Sequence, residues 1–156
     1  MLAEAARHSE AFDRSKLQAL PLSGTAILTC MDARLELEEM LGLRAGDMHV
    51  IRNAGGLASG DAIRSLVVSH HLLGTREVVV INHTGCGLLN LDDVATRARL
   101  ARETGRLADI DFGGFTDVRA NLLAQVQKIR EHQWLQGMPV HGLLYHVETG
   151  KLDELA

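Results

Sequence analysis

Two cysteines and one histidine stand where they could hold a metal ion. Cys30 opens the run Cys30-Met-Asp-Ala-Arg34, and Cys86 closes the pair His83-x-x-Cys86 within Asn82-His-Thr-Gly-Cys-Gly87. On count alone, two cysteines could form one disulfide or sit as small buried thiols. In a reducing compartment a disulfide does not persist, and the pair reads better as metal-binding or chemically active. His83-x-x-Cys86 in a turn makes a two-ligand clip for a borderline-soft metal, and Cys30 adds a third ligand. Thiolate with imidazole suits Zn2+. A closed structural zinc site takes four Cys or His ligands, but there is no third cysteine, and no other histidine has a matching spacing. Three ligands leave a fourth position for water and point to catalysis rather than scaffolding.

Zinc lowers the pKa of a bound water to about 7, which makes a nucleophile at neutral pH. Two thiolates oppose that lowering, so a compensating group is needed to accept a hydrogen bond and orient the hydroxide. Asp32 lies two residues past Cys30 and can do this. Arg34, two further on, can pair with Asp32 and hold it ionised. Asp32 and Arg34 are therefore the catalytic candidates, and Cys30, His83 and Cys86 the metal ligands. Asp32 has two other readings. It can occupy the fourth zinc position itself, leaving Arg34 without a partner, or it can cap a helix starting near Ala33. Arg34 can also be an ordinary surface side chain.

The elements that must position these residues alternate between strand and helix. Residues 2–19 are Ala-rich and read as a helix, broken by Pro21-Leu-Ser-Gly24. Thr25-Ala-Ile-Leu-Thr-Cys30 reads as a buried strand, 35–43 as a short helix, and 48–52 as a second strand running into Asn53-Ala-Gly-Gly56. Ser59 can cap a helix over 60–73, with Ile63, Leu66, Val67 and His70 on one face. Residues 77–81 have the strongest β pattern. A helix is expected over 88–102, with Leu91, Val94, Ala95 and Ala98 on one side. Thr116 can cap another through about Gln133, with the stripe Val118, Leu122, Val126 and Ile129. Residues 140–145 form a fourth strand, Glu148-Thr-Gly-Lys151 a hairpin turn, and 152–155 a short returning edge strand.

The fold class is therefore α/β: a mostly parallel β-sheet of about four strands plus an antiparallel edge strand, flanked by helices, with an N-terminal helical arm over 1–22. One domain over 1–156 is expected. In such sheets, sites lie outside the carboxyl ends of strands where the strand order reverses. Cys30, Asp32, Arg34, His83 and Cys86 all follow carboxyl strand ends. If the first and third strands are neighbours, Cys30 meets His83 and Cys86.

Composition narrows the function classes. Aromatic residues are only 3% of the chain, so the core must be built from aliphatic side chains. The net charge of -4, without any basic run, argues against nucleic acid or an anionic membrane as partner. No stretch is long and apolar enough to span a bilayer, and the first residues lack the apolar core of a secretory signal. The expected compartment is the cytoplasm.

Cys-x-Asp-x-Arg followed about fifty residues later by His-x-x-Cys-Gly resembles the β-class carbonic anhydrases. The likeness extends through Ile51-Arg-Asn-Ala-Gly-Gly56, Asp61-Ala-Ile-Arg-Ser-Leu66, Leu73-Gly-Thr75 and the Tyr145-x-x-x-Thr-Gly-Lys-Leu ending, as in short bacterial and archaeal members. It runs from about Ala26 to the C-terminus. One departure is Gly85, where many short members carry a charged or polar residue; it is not a ligand position. The resemblance implies a compact α/β subunit, an obligate dimer (alone or paired into tetramers) with the cleft at its interface, an N-terminal helix packed across the partner, and one Zn2+ per subunit. It also implies reversible hydration of carbon dioxide to bicarbonate and a proton, by zinc-bound hydroxide oriented by Asp32. Relatives on the same scaffold hydrolyse carbonyl sulfide or carbon disulfide, which is the alternative at the same site. A zinc-binding regulatory or scaffold module is the alternative of another class, against which Asp32 and Arg34 argue.

Other residues have simpler readings. Asn53-Ala-Gly-Gly56 is a tight backbone passage near the metal whose amides can also meet substrate. Arg64 can bind an anion or form a salt bridge along its helix. His70 and His71 read as one buried and one exposed imidazole. His49, His141 and His146 sit in strands, where any could shuttle protons. Asp92 and Asp93 read as a solvated first helical turn favoured by the dipole.

Overall fold

Residues 1–156 are described by a computed structural model. The strands are β1 (Thr25–Cys30), β2 (Met48–Asn53), β3 (Glu77–His83), β4 (Val140–His146) and β5 (Lys151–Glu154). They form one sheet in the order β2-β1-β3-β4-β5, parallel except for the antiparallel β4–β5 pair. The helices are α1 (Leu2–Glu10), α2 (Leu37–Leu41), α3 (Gly60–Leu73), α4 (Asp93–Thr104) and α5 (Val118–Arg130). From β1 the chain adds β2 on one side and then returns to add β3 on the other. The order therefore reverses between β1 and β3, and the crevice at their carboxyl ends is where such a sheet places a site.

All six residues of β1 are buried, as expected of a central parallel strand covered on both faces. On one face Ala26, Leu28, Val78 and Val80 pack against Ala62, Ile63 and Leu66 of α3 and Leu122, Val126 and Ile129 of α5, within a fifteen-residue core. Each fully buried leucine there contributes about 1.5–3 kcal/mol. On the other face Ile27 and Ile81 meet Leu37 of α2. The stripe predicted for 118–129 is thus the core face of α5, with Val118 half-buried at its start.

The sequence reading needs correction in several places. The helix expected over 2–19 ends at Glu10, and none of α1 is buried. Short helices that bury nothing are marginal, and Asp13 and Ser15 are weak formers. The helix expected over 35–43 shrinks to α2, closed by Gly42 in the left-handed conformation. The fourth helix starts at Asp93 rather than Leu88, and the predicted apolar side is wrong: Val94 is 78% exposed, and Ala95 and Ala98 face solvent. The helix docks instead through Arg97, which reaches the carbonyls of Ala108 and Ile110 and lies over the Phe112 ring. Asp92 is its N-cap, accepting from the Ala95 N–H, and Asp93 pairs with Arg97. The next helix is capped by Asp117, not Thr116, through the N–H groups of Arg119 and Ala120, and stops at Arg130. The third strand runs two residues longer than expected, so Asn82 and His83 lie within it.

Candidate metal centre

The β1–β3 pairing brings the two cysteine-bearing segments together. Register sets Thr29 opposite Ile81, and the Thr29 hydroxyl donates to the Ile81 carbonyl at 2.9 Å. One residue on, Cys30 ends β1, and His83 ends β3 two residues past Ile81. The ligand atoms of Cys30, His83 and Cys86 all lie within 4.8 Å of one another, and the two sulfurs are 4.0 Å apart. Tetrahedral zinc, with Zn–S of about 2.3 Å, sets sulfurs about 3.8 Å apart. All three residues are buried.

His83 Nδ1 donates to the Thr84 carbonyl at 2.9 Å. That leaves Nε2 as the lone-pair nitrogen, and it is a buried atom with no hydrogen-bond partner. An unpartnered imidazole nitrogen beside two thiols is costly unless something binds it. The donor set and spacing fit Zn2+, which these three residues would hold. No further Cys, His, Asp or Glu completes the cluster.

The thiols titrate apart. Burial raises Cys30, but the approach of His83 and the backbone amides of Asp32 and Gly55 outweigh it and bring the thiol down to about 7. Cys86 is pushed up, first by burial and then by the neighbouring Cys30. Burial lowers His83, yet Cys30 more than offsets this and the imidazole rises.

Asp32 stands at the edge of the cluster, with Oδ2 3.9 Å from His83 Nε2. Arg34 takes both of its oxygens: Nε donates to Oδ1 at 2.9 Å and Nη2 to Oδ2 at 2.8 Å, while the Arg34 backbone N–H donates to Oδ1 at 3.0 Å. Those hydrogen bonds hold the Asp32 carboxyl well below the usual carboxylate range. The helix cap considered for Asp32 is not formed; the residue closes a turn onto Arg34, and the following helix begins at Leu37. Arg34 also donates to the Gly85 carbonyl at 2.9 Å, so it ties the β1 exit to the β3 exit.

Several supports had no assigned role in the sequence reading. Arg52 donates to the carbonyls of Cys30 at 3.0 Å and Asp32 at 2.8 Å, fixing the β1 exit from the next strand. Thr84 donates to Glu148 at 2.7 Å and accepts from the Val147 N–H at 3.1 Å, fixing the β3 exit. A signal for Arg52 was its place between an apolar strand and Asn53-Ala-Gly-Gly56. None marked Glu148, which comes from a distant turn.

The remaining candidates lie elsewhere. Arg64 pairs with Asp61 on exposed helix. His70 is half-buried and His71 exposed. His49 bridges Ser69 and the Ala19 carbonyl, while His141 and His146 pair with Glu154 and Asp153. None of these histidines lines the cleft over the cysteines. That cleft, of about 640 Å3, is walled by Cys30, Asp32, Arg34 and Cys86 together with Met31, Ala33, Ala54, Gly55 and Leu88. It presents mainly apolar surface with one ion pair at the cluster's edge. Such a site can admit a small apolar electrophile to a metal.

The family model described as carbonic anhydrase matches residues 25–152. The chain is 37% identical over 136 residues to β-carbonic anhydrase 1 of Mycobacterium tuberculosis, covering 86% of this chain and 83% of that protein. It is 48% identical over 151 residues to carbon disulfide hydrolase of an Acidianus strain, covering 81% and 74% respectively. Among solved structures, carbonic anhydrase from Streptococcus mutans superposes with a TM-score of 0.92 at 35% identity, covering 99% of this chain and 94% of that one.

Proposed function

This chain belongs to the β-carbonic anhydrase family of zinc enzymes, and on that premise we propose that it catalyses the reversible hydration of carbon dioxide to bicarbonate and a proton. The observation that carries the reading is the Asp32–Arg34 pair beside the three ligand atoms. A site that only stores or senses metal has no use for it. Both carboxylate oxygens are engaged by the guanidinium, which supports an open fourth position rather than one filled by Asp32.

Zn2+ held by Cys30, His83 and Cys86 supplies a Lewis acid and a water activated near neutral pH. The residues around it do the rest. Asp32 stays anionic under Arg34 and, lying 3.9 Å from His83 Nε2, would accept a hydrogen bond from a protonated group on the metal and so orient it. Arg34 fixes that carboxylate in place. Met31, Ala33, Ala54 and Leu88 offer apolar walls to a small linear molecule. The test is zinc content with carbon dioxide hydration: about one zinc per chain, as one three-ligand site requires, and faster acidification of a carbon dioxide solution. Zinc-loaded protein inactive from neutral to alkaline pH contradicts the reading.

A second reading rests on the carbon disulfide hydrolase relative at 48% identity. Carbon disulfide and carbonyl sulfide are also small, linear and electrophilic at carbon, and the same apolar walls suit them. Sulfide release measured beside hydration on one sample separates the two.

The proposal extends to a homodimer, alone or paired into tetramers, in the cytoplasm. Support comes from α1, which buries none of its residues against its own subunit. No helix is long and apolar enough to cross a membrane. Light scattering giving twice the 17.0 kDa chain mass, or four times, agrees with it; a monomer contradicts it.

A further inference from the structure

Asn82 is 2% exposed, the one amide in the otherwise apolar body of β3. Its Nδ2 donates to the Gly55 carbonyl at 3.1 Å, and its Oδ1 accepts from Asn121 Nδ2 at 2.9 Å. Asn121 Oδ1 accepts from Gln125 Nε2 at 2.9 Å, and Gln125 Oε1 accepts from the Ala58 backbone N–H at 2.9 Å. Every donor points the same way, from Ala58 N–H through Gln125, Asn121 and Asn82 to Gly55 C=O. The backbone groups at the two ends have fixed roles, so all three amide orientations are determined. A head-to-tail chain of this kind polarises itself cooperatively.

The segment gripped at both ends is the 3-10 turn Ala54–Gly56 and its exit. Gly55 and Gly56 have φ of 78° and 61°. A Cβ on Gly56 would come within 2.9 Å of Asn82 Nδ2 and 3.0 Å of Cys30 N, so the turn rests directly on the end of β1. Gly55 walls the cleft beside Cys30.

The geometry points to Asn82, Asn121 and Gln125 as positioning residues that hold the Ala54–Gly56 turn against the Cys30 end of β1 and so set how firmly the site keeps its metal and how well it activates water. They touch neither substrate nor metal; they act through the Ala54–Gly56 turn. The inference rests on the zinc reading above.

The test uses zinc-loaded protein with Asn121→Ala and Gln125→Ala, and Val126→Ala as a control that opens a cavity on the same helix without touching the amides. Three quantities are read: zinc release into excess chelator, hydrogen exchange at Gly55 and Ala58, and kcat with KM. Asn121→Ala is expected to speed zinc release about 10–100-fold, the usual range for outer partners of a metal site. It should also speed exchange at Gly55 and Ala58, and lower kcat with KM nearly unchanged. Gln125→Ala, at a half-buried position farther from the sulfur, gives a weaker form of the same pattern and serves if Asn121→Ala does not fold. Val126→Ala should lower Tm alone. Unchanged release and exchange in both amide variants, or equal changes in Val126→Ala, overturn the relay. Absence of zinc in wild type overturns the metal reading instead, so the two failures are told apart.

Discussion

The two loops that build the site leave neighbouring parallel strands at the same end of the sheet, yet they divide the work unequally. The β3 exit carries two of the proposed ligands, His83 and Cys86, and its loop is pinned by Thr84 to the turn after β4. The β1 exit carries the third proposed ligand, Cys30, and then, at two-residue steps, the Asp32–Arg34 pair. On the proposed reading the first would mainly hold the metal, and the second would add one ligand and place the Asp32 carboxylate beside the cluster. Arg34 joins them through the Gly85 carbonyl. If those roles hold, the contrast teaches that holding and activating are separable, because different side chains would carry them.

Variants can break that contrast. Removing a ligand has the largest effect expected on either side: Cys86→Ser or Cys30→Ser should weaken zinc binding on the order of a thousandfold, since roughly a third of the ~12 kcal/mol of a tightly held zinc is lost with each ligand. Metal analysis after dialysis checks this, and retention of zinc by either variant removes that cysteine from the ligand set.

Next comes proton linkage. Cys86 is raised above its ordinary value and stays protonated at pH 7, while Cys30 near 7 is about half ionised. Zinc uptake at pH 7 should therefore release about 1.5–2 protons, and apparent affinity should rise about 30–100-fold per pH unit around neutrality. Calorimetry in buffers of different ionisation enthalpy measures it. A release below one proton contradicts thiolate ligation by both cysteines.

Arg34→Lys keeps a charge but loses the two-pronged grip, so about tenfold lower kcat with unchanged zinc content is expected. Thr84→Val removes the bonds to Glu148 and Val147 and should raise the zinc release rate only a few-fold, the effect of about 1 kcal/mol. If Thr84→Val instead lowered kcat more than Arg34→Lys, the division of work between the loops would be wrong.

Much of the site was legible because its chemistry sits in two short local motifs at strand ends, and strand ends are what apolar runs mark best. Cys30, Asp32 and Arg34 fall within five residues, and His83 and Cys86 within four. The β1–β3 adjacency that joins them was only a condition in the sequence, and the sheet order supplies it. What stayed hidden depends on contacts between distant elements. Arg97 docks α4 through backbone carbonyls, which no apolar stripe announces. Asp117 outcompetes Thr116 as a cap because its carboxylate reaches two N–H groups. The amide relay joins β3, α5 and a loop. Its only local trace was a polar residue inside Val-Val-Val-Ile-Asn-His and a pair of amides one turn apart beside the apolar stripe of α5. The end of α1 at Glu10 was hidden for the opposite reason: nothing in its own subunit packs against it.

The central claim is tested most directly by stopped-flow carbon dioxide hydration on zinc-loaded wild type and Asp32→Asn at alkaline pH, with zinc measured in the same samples. The account predicts full zinc in both, hydration by wild type, and a loss of about 10²–10³-fold in Asp32→Asn, the range for a lost positioned acid–base partner. Zinc-loaded wild type without hydration, or an Asp32→Asn variant as fast as wild type, contradicts it.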